Sequence, residues 1–71
     1  MQERPPPSEV EALWRLAYEV CTERELEVLQ LRQAGLSFRI IATFLDVAVS
    51  TVVDTERRAA ARLARARQGE E

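Results

Sequence analysis

Apolar residues recur every three to four positions in four stretches of the chain. Val10, Leu13, Trp14, Ala17 and Val20 make the first stretch, and Leu26, Leu29 and Ala34, widened by Val28 and Leu31, make the second. Phe38, Ile41, Ala42, Phe44 and Leu45 make a shorter third. The fourth runs from Ser50 and Thr51 through Val52, Ala59-Ala60-Ala61 and Leu63 to Arg67, with no breaker inside it and many strong helix formers. This spacing marks one face of an α-helix, whereas no segment alternates apolar and polar residues between turn signals as a half-buried strand does. The pattern predicts an all-α, four-helix domain. Leu26, Leu29, Ile41, Leu45, Val52 and Leu63 are expected to share one core with Trp14.

Polar residues punctuate these stretches where helices should begin and end. Ser8 stands as an N-cap before Glu9 and Glu11, and Thr22-Glu23-Arg24-Glu25 has the form of a capping box, in which hydroxyl and carboxylate satisfy each other's free amides. Gly35 tolerates the left-handed conformation that closes a helix. Ser37 caps the third helix, Asp46 sits where the chain must turn, and Gly69 ends the fourth. Arg4-Pro5-Pro6-Pro7 disfavours helix. Residues 1–7 are therefore expected to be a flexible Pro-rich leader, 8–68 the domain, and 69–71 an acidic tail.

Seventy-one residues allow one small core, economically built, and no large enclosed active site. With no histidine and only Cys21, neither a zinc site nor a disulfide framework can be assembled within the chain, and Cys21 is expected to pack as a small hydrophobe. No glycine-rich phosphate loop and no nucleophile with a positioned base is visible, so no catalytic residue, metal or cofactor is assigned and the chain is not read as an enzyme. The absence of a long apolar run and of a signal-peptide pattern gives the expectation of a cytoplasmic, nucleoid-associated protein with no membrane partner.

Charge changes this picture, because it is unevenly spread. Residues 1–30 hold seven glutamates against three arginines, whereas residues 31–69 hold seven arginines against three acidic residues. The basic second half suits contact with an anion, although the net charge of −2 argues against strong general nucleic-acid binding. All ten cations are arginine.

Two short helices joined by a tight turn, the second bearing arginines, outline a helix-turn-helix. Thr22-Glu23-Arg24-Glu25-Leu26-Glu27-Val28-Leu29, followed by Gly35-Leu36-Ser37, Ile41-Ala42, Leu45 and Ser50-Thr51-Val52, resembles region 4 of bacterial sigma factors and the LuxR/GerE-type DNA-binding domain. The resemblance spans roughly residues 8 to 67. Phe38, Val49-Ser50-Thr51-Val52 and the arginine-rich Arg58-to-Leu63 tail resemble the sigma form more closely, and the extra dimerising helix usual in LuxR/GerE-type domains is not expected. The resemblance implies a last helix that enters the major groove of promoter DNA and a domain that also touches RNA polymerase and regulators.

On that resemblance, Ser50, Arg57 and Asp54 fall near base edges, and Thr51, Ser37, Arg39, Arg58 and Arg62 near phosphates. Each has a plainer reading. Ser37 and Thr51 serve as helix-start residues, while Arg62, Arg65 and Arg67 offset the helix dipole. The departures are equally informative. Ile40 replaces a usual glutamate, Ala48 a usual capping residue, and Val53-Asp54-Thr55 a stretch usually rich in Lys, Arg or Ser. Glu56 stands where a core leucine is usual, which implies either a partner arginine or a rotated helix. A second function class follows from Ile40, Val49 and Val53. Such an apolar patch suits a protein-interaction module, its partner a second copy of the chain, RNA polymerase, or a sigma or anti-sigma factor, unless Ile40 and Val53 simply enlarge the core.

Overall fold

Each of the first three helices begins where a hydroxyl relieves unbonded amides. In the computed structural model, which describes residues 8–69, Ser8 Oγ accepts from the Glu11 amide at 3.1 Å at the start of α1 (Glu9–Val20). Thr22 and Glu25 close a complete capping box at the start of α2 (Glu23–Gln33), with bonds of 3.1 and 2.9 Å. Ser37 Oγ accepts from Ile40 N at 3.2 Å ahead of α3 (Phe38–Leu45). α4 (Val49–Gly69) opens one residue earlier than the Ser50-Thr51 pair suggests, with the Ala48 carbonyl accepting from the Thr51 and Val52 amides. It also includes Gly69, which the sequence pattern places just outside. The leader 1–7 and the tail residues Glu70 and Glu71 lie outside the described residues.

α2 and α3 end in the same way. The Leu36 amide reaches back to the Leu31 carbonyl and the Gly35 amide to that of Arg32, the paired bonds of a Schellman closure with Gly35 at φ 94°. After α3 the Val47 and Asp46 amides make the equivalent bonds to Ala42 and Thr43, with Asp46 in the left-handed region at φ 60°. Aspartate is among the few non-glycine residues that enter this region readily. A sharp three-residue connection, Asp46 to Ala48, therefore turns the chain from α3 into α4.

α4 is the spine of the fold, packing against each of the other three helices, and α2 also packs against α3. Among the described residues there are four helices and no strand, so the domain is all-α. Its interior has two parts rather than the single core expected. Val28, Ile41, Ala42 and Val52 are buried together between α2, α3 and the first half of α4, ringed by Leu31, Leu36, Phe38, Leu45 and Val47. Farther along α4, only Ala17 and Ala59 are fully buried between α1 and α4. Leu13, Trp14, Leu29 and Leu63 are half-buried there and line a surface groove of about 350 Å³. Leu29 and Trp14 do share an environment with Leu63, but not with Ile41, Leu45 and Val52. In α2, Val28 takes the central position instead of Leu29, and Ala34 is exposed.

Ion pairs tie the elements across these interfaces. Arg62 Nε on α4 bonds both carboxylate oxygens of Glu25 on α2, at 3.1 and 3.2 Å. On the other side of α4, Glu56 accepts from Arg32 Nε at 3.2 Å, which decides in favour of a partner arginine for the glutamate at this position. Arg32 also donates to the Leu36 carbonyl at 2.9 Å and lies 4.2 Å over the Phe38 ring, so one guanidinium joins α2, its closing turn, α3 and α4. Arg67 reaches Glu9 at 3.5 Å.

Candidate nucleic-acid interface

Val52, Thr55 and Ala59 form the buried row of α4, and a helix turns 100° per residue, so the opposite face belongs to Ser50, Asp54, Arg57 and Ala61. All four are exposed. The structure therefore brings Ser50, Asp54 and Arg57 onto one outward face. Thr51, Arg58 and Arg62 line one flank of that face, on the side of Glu25, while Val49 and Val53 line the other. Ser37 and Arg39 belong to a different element, at the start of α3. Ser37 is engaged as a helix cap and Arg39 is exposed.

Ion pairing sorts the arginines of the basic half. Arg32, Arg62 and Arg67 are held by Glu56, Glu25 and Glu9. Among the described residues, Arg39, Arg57, Arg58 and Arg65 form no ion pair, and three of these lie on the outer side of α4. Asp54 is likewise unpaired there, although Arg57 and Arg58 follow it by three and four residues.

Glu25 sets the electrostatics beneath this surface. It is only 4% exposed, and burial by itself would raise its pKa; the Thr22 amide, the Arg62 bond and the positive charges of Arg62 and Arg58 outweigh burial and hold the carboxyl below its usual range. The anion is thus retained in the interior, and Arg58 faces it closely enough to contribute. Burial, and the neighbouring Glu25 charge after it, push the pKa of the half-buried Cys21 thiol up. Among the described residues, no group of three or more His, Cys, Asp or Glu side chains converges as a metal site would require.

No protein-family model, curated protein or solved structure matches the chain. No helix among the described residues is long and apolar enough to cross a membrane.

The apolar candidates divide between two helices. Ile40 is 53% and Val49 44% exposed, but Val53 is half-buried, so only part of that trio is open surface. Among the described residues, the most exposed large hydrophobic residue is one that the sequence pattern counts with the apolar stripe of its helix: Phe44, at 71%, stands one turn from Ile40 on the outer side of α3. A signal for this exists in the chain. Phe38, Ile41, Ala42 and Leu45 already fill the i, i+3, i+4, i+7 stripe of so short a helix, which leaves Phe44 paired with Ile40 beside it.

Proposed function

We propose that this protein is a DNA-binding transcription regulator, resembling sigma region 4, that lays the outer face of α4 into the major groove of promoter-like double-stranded DNA. The observation that carries this reading is the face itself. Ser50, Asp54 and Arg57 point away from the core beside Arg58 and Arg65, and none of these three arginines forms an ion pair among the described residues. The sharp turn at Asp46 to Ala48 supports it, because a short helix followed by a longer one across such a turn is how helix-turn-helix proteins offer a helix to DNA. Arg57 and Arg58 supply charge for phosphates or guanine edges, Thr51 and Arg39 add bonds to the DNA backbone, and Ser37 and Arg62 hold the scaffold in place. Such a protein works in the cytoplasm, at the nucleoid, with RNA polymerase as a natural neighbour.

The test is fluorescence anisotropy with labelled duplex DNA over a range of salt. Binding should be measurable at low salt, and Arg57→Ala and Arg58→Ala should each lower the slope of log affinity against log salt by about 0.9 for every phosphate that the arginine neutralises. No binding at low salt, or slopes unchanged in both variants, would sink the proposal.

A protein-interaction module on the same scaffold is the second reading, favoured by the exposure of Ile40, Phe44 and Val49. Its partner is a second copy of the chain, RNA polymerase, or a sigma or anti-sigma factor. Light scattering of the wild type and Ile40→Glu addresses the homodimer, and pull-downs against RNA polymerase and against sigma and anti-sigma factors address the other partners. Self-association or capture that Ile40→Glu abolishes, without loss of helical signal, would favour this reading.

A further inference from the structure

The face of α4 offered to DNA in the proposal above is short of the donors that read purines. Over its first two turns the exposed groups are the methyls of Val49 and, partly, Val53, the hydroxyls of Ser50 and, on the flank, Thr51, and the carboxylate of Asp54, with no amide or guanidinium among them; arginines enter only at Arg57 and Arg58. In the major groove a carboxylate can only accept, and the donors there are the N4 amine of cytosine and the N6 amine of adenine. Adenine N6 sits beside the N7 acceptor, which repels a carboxylate, so cytosine is the fitting base. Valine methyls have one specific counterpart in the groove, the C5-methyl of thymine.

We infer that α4 is a pyrimidine reader, with Asp54 accepting from a cytosine N4 amine and Val49 and Val53 packing on a thymine methyl. The inference rests on the DNA-binding proposal and specifies its target class. Two details of the structure support it. Asp54 forms no ion pair with Arg57 or Arg58, though an acid placed ahead of an arginine at this spacing is the favoured arrangement, so both its oxygens are available to a base. Those same arginines bracket Asp54 on the DNA side and offset the repulsion between a carboxylate and the phosphates. Spacing adds a further constraint. Five residues of α-helix rise about 7.5 Å, and base pairs are stacked about 3.4 Å apart, so the thymine under Val49 and the cytosine under Asp54 fall within about three base pairs of each other.

The experiment uses the full chain and a pool of duplexes with a randomised central segment of about a dozen base pairs. Bound duplexes should be enriched in a cytosine and a thymine within about three base pairs on one strand. In the enriched duplex, replacing that thymine by deoxyuridine, which keeps pairing but lacks the methyl, should weaken binding by about threefold or more. Asp54→Ala, a substitution at an exposed position, should erase the cytosine preference, a loss of about five- to tenfold between cytosine and thymine at that site, while circular dichroism stays unchanged. Failure to enrich a C·G and a T·A pair with both pyrimidines on one strand within about three base pairs, or a cytosine preference that survives in Asp54→Ala, overturns the inference and leaves DNA binding standing. A pool that does not bind even at low salt overturns both.

Discussion

The two halves of the interior are built from different materials. Where α2, α3 and the start of α4 meet, branched aliphatics close on one another, and Ile41, Val28 and Val52 retain essentially no exposure. Where α1 lies along the later turns of α4, the fully buried residues are two alanines, and the larger side chains Leu13, Trp14, Leu29 and Leu63 stand around an open groove with Arg32, Gln33 and Glu56 at its rim. Alanines let two helices approach closely but contribute little apolar area, so the first region holds the fold and the second attaches α1 to it. The polar links of α1 match this weaker role. Gln30 donates to the Tyr18 hydroxyl at 2.7 Å and Arg67 reaches Glu9, and both links are exposed to water.

The largest effect that can test this contrast is at Ile41. Ile41→Ala should cost about 2–5 kcal/mol in a urea titration, enough to unfold much of a domain this small. A loss under about 1 kcal/mol would show that the aliphatic cluster is not the centre of stability.

Second comes the Glu25–Arg62 link between α2 and α4. Glu25→Ala removes one half of the capping box and the carboxylate that holds Arg62, for an expected cost of about 2 kcal/mol. Because its pKa is lowered in the folded state, the unfolded chain binds the proton more readily. Stability from this group is therefore full above the ordinary glutamate range, near 4.5, and is lost as pH falls through the folded value. Thermal unfolding between about pH 6 and 3 should show a steeper acid-side loss in the wild type than in Glu25→Gln; parallel profiles would remove Glu25 from this role.

Leu29→Ala sharpens the contrast from the other side. A half-buried leucine at the edge of a groove should cost about 1 kcal/mol, clearly less than Ile41→Ala, and an equal loss would mean that the interior is a single unit. The smallest effect belongs to Phe44→Ser, which should change stability by under about 0.5 kcal/mol, because the ring lies mostly in water.

Local chemistry explains how much of the fold is legible in the chain. Hydroxyl caps at Ser8, Thr22 and Ser37, the closing glycine at Gly35 and the turn at Asp46 each act within a few residues, and all stand where the sequence places them. The core is less legible. Periodicity identifies which face of a helix is apolar but not which neighbour covers it, so it assigns Leu29 to the cluster that Val28 in fact occupies. Phe44 is missed by a simple count of apolar positions, because most of α3 is apolar, and is separated only by the stricter spacing of Phe38, Ile41, Ala42 and Leu45. The outward face at Ser50, Asp54 and Arg57 follows from helical spacing once Val52 is known to be buried. The capture of Arg62 by a glutamate 37 positions away, by contrast, is a tertiary fact that no local pattern carries.

That capture joins two processes usually treated apart. Glu25 Oε1 accepts both from the Thr22 amide, which starts α2, and from Arg62, which docks α2 on α4. Starting a helix is its costly step, since several dihedral angles are fixed before hydrogen bonds compensate for them. Here the atom that offsets this cost is the one that makes the long-range bond. Formation of α2 and its docking are therefore thermodynamically coupled: any ligand that steadies α4 also favours the first turn of α2, and fraying of that turn loosens Arg62 at a distance.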